Sequence, residues 1–134
     1  MDGIERPSSS ERGAISDEAL NRIIELVGDD PEVLLDLFET YLSESEGLVK
    51  SLYSSLESGD DHRLMIAAHS LKSTSATFGA EDLASLSAVL EHATIGELEG
   101  VDYVLQVEKI ADEYSYVAVA VQAQTQQWRN SLEL

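Results

Sequence analysis

The sequence predicts an all-α protein: an up-down antiparallel four-helix bundle with a short extra N-terminal helix packed across one end. Two observations carry that prediction. Apolar residues recur every three or four positions through five successive segments, and the gaps between those segments are short and hold helix-stop and helix-start residues. Composition agrees, because 43% hydrophobic residues suffice for a core, while two prolines and few aromatics do not suit a many-turned β fold. A chain of 134 residues is expected to form one domain.

Residues 1–14 contain Pro7, three successive serines from Ser8 and Gly13, without apolar periodicity, and are expected to be a flexible leader. The bundle is expected over 15–130, followed by a tail at 131–134. Ser16 can cap a first helix, with Asp17 and Glu18 at its positive end and Leu20, Ile23, Ile24 and Val27 at helical spacing until Gly28. Asp30-Pro31 reads as an N-cap with proline at the first helical position. The helix it starts carries apolar residues from Val33 to Leu56 and should run to about Glu57, before Ser58-Gly59. At 1.5 Å per residue it would be roughly 40 Å long. Gly47 weakens its middle. Asp60 or Asp61 caps a third helix, which stops at Gly79. A fourth follows with Leu83, Leu86, Leu90 and Ala93 on one face, ending near Gly96. The fifth is expected from near Val101, with Val104, Val107, Ile110, Ala111, Tyr114, Val117 and Val121 facing inward. Its stretch Tyr116–Val121 is rich in β-branched residues and could form a strand, but helical spacing on both sides, continuing to Trp128, favours helix. Short links between long amphipathic helices make neighbours antiparallel.

Composition also narrows the function. With no cysteine, neither a disulfide framework nor a thiolate metal site can form. The start of the chain has no basic-then-apolar signal, and no segment is apolar enough to span a bilayer, so a cytoplasmic placement is expected. Twenty-six acidic against eight basic residues give a net charge of −18. Such a surface is repelled by phosphate backbones and anionic lipid, which argues against nucleic acid and membrane as partners. The charge serves either solubility or steering towards a basic partner surface, and Arg63 and Lys72 stand out against it. Di-iron Glu-x-x-His pairs, His-Glu-x-x-His and a Walker-type loop are all absent, and no elbow marks a serine nucleophile. No cofactor or metal site is expected. The adjacent carboxylates Asp29-Asp30 and Asp60-Asp61 sit where helices begin and read as caps.

The third helix holds the remaining chemistry. On a helical wheel Leu64, Ala67, Leu71 and Phe78 share an apolar arc, with Thr74 and Ser75 at its margins, and His69 points the opposite way. Lys72, Ser73 and Ala76 surround it on the wet face. An exposed histidine is often only a solvated residue. It can also act as a nucleophile, because neutral imidazole is available near pH 7. A cation at i+3 suits an anionic group on the ring, and small neighbours leave room for a second protein. Met65 and Ile66 lie within about 60° of His69 on the wheel; they either form a small docking patch or fill the edge of a wide core. His62 is expected in solvent, and His92 at a helix end for structural reasons.

The string His69-Ser70-Leu71-Lys72-Ser73-x-Ser75, followed by Gly79-Ala80 and preceded by Ala67-Ala68, resembles the signature of the histidine-containing phosphotransfer (HPt) domain family. That signature runs alanine-histidine, then leucine-lysine-glycine, a small residue and glycine-alanine. Ser73 departs from it, standing where glycine is most frequent and slightly reducing clearance over His69. The resemblance implies a phosphocarrier and not an enzyme of independent activity. His69 would accept a phosphoryl group from an aspartate of one response-regulator receiver domain and pass it to another. Lys72 would stabilise phosphoryl charge, and the neighbours that the wheel places beside His69, Met65, Ile66, Ser73 and Ala76, would then meet the partner. It also implies attack through Nε2, a receiver that brings Mg²⁺ and most catalytic groups, and a hybrid sensor histidine kinase as a further candidate partner. Most of the family works as monomers. The rival expectation is an acidic helical adaptor that binds a signalling partner without phosphoryl traffic.

Overall fold

The computed structural model describes residues 12–133, which form five helices: α1 (Asp17–Val27), α2 (Pro31–Ser58), α3 (Asp61–Phe78), α4 (Glu81–Thr94) and α5 (Tyr103–Leu132). No strand occurs among the described residues, and Tyr116–Val121 is continuous helix. Capping sets the starts. Ser16 accepts from the Ala19 amide, Asp30 from Glu32 beside Pro31, Asp60 from Arg63, and Asp102 from Leu105. Asp60 is therefore the cap of α3, and Asp61 its first helical residue. Asp102 delays α5 to Tyr103, two residues beyond the expected start. Gly59 and Gly79 end α2 and α3 in the left-handed region.

The long helices close a ring in which α2 and α4 each pack against both α3 and α5. Leu34, Phe38, Tyr41 and Leu52 meet Leu64, Ala68 and Leu71, Leu83 and Leu90, and Val107, Ile110, Val117 and Val121 in one core. The Phe78 ring stacks on Tyr41 at 4.7 Å and meets Phe38 edge-on at 4.9 Å, and Trp128 lies 5.3 Å from Phe38. Polar groups also lie inside. Ser75, expected at the margin, is fully buried and hydrogen-bonds the Tyr41 hydroxyl at 2.8 Å. Burial raises the Tyr41 pKa, against the lowering effect of this bond. Val104, expected inward, is exposed; Gln106, two residues on, is buried instead, and its Nε2 donates to the Leu86 carbonyl at 3.0 Å.

Helix α1 rests on the C-terminal end of α3, burying Ala19 and Ile23. The Ser16 amide donates to the Gly79 carbonyl at 2.9 Å. Of the leader expected over 1–14, residues 1–11 lie outside the described residues, and Arg12 and Gly13 are docked on α5. Arg12 pairs with Asp112 at 2.7 Å and lies 4.2 Å over the Tyr116 ring, and the Gly13 amide donates to buried Glu113 at 3.0 Å. At the other end α5 continues through Leu132, into the stretch expected as tail.

Candidate functional site

His69 is the ninth residue of α3, on the side of that helix opposite its buried Leu64, Ala67 and Leu71. Its side chain is 58% exposed. A fully buried stripe on one side and a half-free ring on the other follow from the wheel: the more tightly Leu64 and Leu71 seat α3 in the core, the more firmly the imidazole is turned outward.

What the wheel could not supply comes from α4. Glu91 is buried, 8% exposed, and reaches across the α3–α4 seam. Its Oε2 lies 2.6 Å from His69 Nδ1, and its Oε1 lies 2.5 Å from Lys72 Nζ. Lys72 holds the Glu91 carboxyl below the usual carboxylate range, with His69 adding to the effect against the opposing cost of burial. An ionised carboxylate only accepts hydrogen bonds, so Nδ1 is the nitrogen that carries the proton. The tautomer is thereby fixed, and the lone pair of the neutral ring is on Nε2. No described residue hydrogen-bonds Nε2. The arrangement can present a nucleophilic nitrogen to solvent, held in one orientation, with a cation one helical turn away.

The model of the Hpt domain family matches residues 36–131, most of the chain. The chain belongs to the Hpt domain family. It is similar to the crystal structure of histidine-containing phosphotransfer protein B (HptB) from Pseudomonas aeruginosa PAO1, at 31% identity and a TM-score of 0.73, over 84% of this chain and 95% of that one. No curated protein matches. Membership of the Hpt family makes this a histidine phosphotransfer protein of a phosphorelay, and it does not favour a purely adhesive adaptor.

The other residues singled out in the sequence are distributed unevenly. Ser73 and Ala76 are exposed on the His69 side of α3. Lys72, expected on the wet face, is only 33% exposed because it folds over the seam onto Glu91. Met65 is half-buried, while Ile66 is 48% exposed and borders a shallow groove towards α2 with Leu48, Ser51 and Arg63. Arg63 donates to Ser54 on α2 at 3.3 Å and does not join the His69 group. His62 is exposed, and His92 pairs with Glu97 at 2.6 Å beyond the end of α4. Glu91 is the partner of His69 and Lys72 that sequence reasoning missed. The only local signal was an acidic residue in a stripe otherwise occupied by Leu83, Ser87 and Leu90. Among the described residues no cluster could hold a metal ion, and no helix is long and apolar enough to cross a membrane.

Proposed function

We propose that His69 is the phosphoacceptor and that Nε2 is the reacting atom. The observation that carries this is the 2.6 Å contact from Glu91 to Nδ1 of a ring that is otherwise more than half exposed. In the forward step the Nε2 lone pair attacks the phosphorus of an aspartyl phosphate on a response-regulator receiver domain. The N–P bond forms as the P–O bond to the aspartate breaks, and the aspartate leaves as a carboxylate. The Nδ1 proton stays in place, so the ring becomes cationic once Nε2 carries the phosphoryl group. Glu91 then balances that charge across a hydrogen bond already made. Lys72 is placed to turn from Glu91 towards the phosphoryl oxygens, a motion of one flexible side chain. The reverse step hands the group to an aspartate of a second receiver, and a hybrid sensor kinase is a further source.

The chain acts here as a carrier and not as an independent enzyme, with the divalent cation supplied by the receiver. Exposed Ile66, Ser73 and Ala76 and half-buried Met65 frame the ring as the docking rim, and a single copy suffices for this chemistry. The test is to incubate the protein with phosphorylated receivers and follow its mass. Wild type should gain one acid-labile phosphoryl group, and His69→Gln should gain none while keeping its helicity. Equal labelling of the two would refute the assignment.

A further inference from the structure

One hydroxyl beside His69 has no part in the folding of α3 or in the scheme above. Ser73 lies at i+4 from His69, is exposed, and its Oγ makes no hydrogen bond to any described residue. Its neighbours behave differently. Thr74 Oγ1 donates to the Ser70 carbonyl at 3.0 Å, and Thr77 Oγ1 donates to the Ser73 carbonyl at 3.2 Å. Helical side chains tilt towards the N-terminus, so a residue at i+4 leans back over the residue at i. About 100° per residue places Lys72 some 60° to one side of His69 and Ser73 about 40° to the other. Lys72 turns to the α4 seam, and Ser73 flanks the imidazole on the opposite side.

Resting on the assignment of Nε2 as the acceptor, we propose that Ser73 Oγ donates a hydrogen bond to a phosphoryl oxygen carried on His69, so that the group is held between a cation and a hydroxyl. The residue that narrows the approach to the ring is then also a ligand of the transferred group. Departure of a phosphoryl group through a loose transition state moves negative charge off its equatorial oxygens towards the bond being broken. A donor to those oxygens therefore stabilises the phosphohistidine more than the transition state, and its loss shortens the lifetime of the phosphorylated protein.

The experiment uses the full chain phosphorylated by a phosphorylated receiver domain that is then removed, its decay at neutral pH followed by intact mass and by ³¹P NMR. Ser73→Ala and Ser73→Gly should both lose the group faster than wild type, by about three- to tenfold for one hydrogen bond. Both should shift the ³¹P resonance, and Ser73→Thr, which keeps a hydroxyl, should stay near wild type. Alanine is the better helix former, so Ser73→Ala is not at risk of unfolding α3. Decay of Ser73→Ala at the wild-type rate, or of Ser73→Thr at the alanine rate, would overturn the hydroxyl contact while leaving His69 as acceptor. A wild-type protein that takes no label, or a label that survives in His69→Gln, would overturn the acceptor assignment itself and the Ser73 contact with it.

Discussion

Glu91 joins two jobs in one side chain, because the carboxylate that orients His69 also holds Lys72 against the bundle. Replacing it with alanine removes the partner of Nδ1 and frees the ring to rotate and change tautomer. A hydrogen bond to a charged group is worth about 1.5–3 kcal/mol, so Glu91→Ala should slow phosphoryl uptake by about 10- to 100-fold in single-turnover transfer from a receiver. Lys72→Ala should slow transfer too, and it should also lower stability by about 1 kcal/mol, since the buried carboxylate loses a partner. A thermal midpoint equal to wild type would contradict that coupling. The pH dependence has a definite sign. The folded protein holds Glu91 below its ordinary value, so the stabilisation is complete above the ordinary carboxylate range and is lost as pH falls through the folded value. Wild type should therefore exceed Glu91→Gln in thermal midpoint at neutral pH, and the gap should close on acidification. At this scale the outward placement of His69 was legible because a helical wheel needs only local spacing. Its partner was not: Glu91 lies 22 residues away on another helix, and no periodicity within α3 points to it. Ser75 was misplaced for a related reason, since only the facing Tyr41 hydroxyl makes burial of its own hydroxyl affordable.

Between elements, α1 is attached by a backbone-to-backbone approach that a side chain would block. Gly79 has φ +85°, and a Cβ there would lie 2.9 Å from the Ala19 Cβ and 3.0 Å from the Ser16 nitrogen. Gly59 ends α2 in the same left-handed region, at φ +69°, but with open space around it. Gly59→Ala should cost only the backbone strain, about 1 kcal/mol. Gly79→Ala should cost the same strain plus the displacement of α1, roughly 2–3 kcal/mol in all by chemical denaturation. Equal losses would mean that α1 contributes little to holding the bundle. The helices themselves were legible almost to the residue, since aspartate and serine caps at the starts and glycine stops after α2 and α3 are written in the chain. The inward face of α5 was less so. Val104 looked like the first core residue, but at about 100° per residue it is Gln106 that shares the face of Ile110 and Val117, and Gln106 is buried. Docking of Arg12 and Gly13 on α5 was also invisible, because Asp112 and Glu113 are 100 residues from Arg12 and Gly13.

Over the whole molecule, charge opposes folding. The net charge of −18 is spread over a bundle in which two of the long-range ion pairs, Arg12–Asp112 and Arg129–Glu39, are solvent-exposed. Exposed pairs of this kind contribute at most about 1 kcal/mol each and are weakened by salt. The summed repulsion among the excess carboxylates is screened as well, with a Debye length that falls from about 30 Å at 0.01 M to about 10 Å at 0.1 M. The two effects have opposite signs, and the imbalance of charges decides between them: screening relieves more repulsion than it removes attraction. The thermal midpoint should therefore rise as sodium chloride is raised from about 0.01 M to 0.1 M. A fall would mean that the few ion pairs outweigh the net charge. The same field acts on partners. A net charge of −18 favours receivers that carry a basic surface and disfavours those that do not. The apparent second-order rate of phosphoryl transfer at subsaturating receiver should then fall over the same salt range, while the rate at saturation stays constant. Opposite responses of stability and association to one variable would distinguish steering from a charge that serves solubility alone.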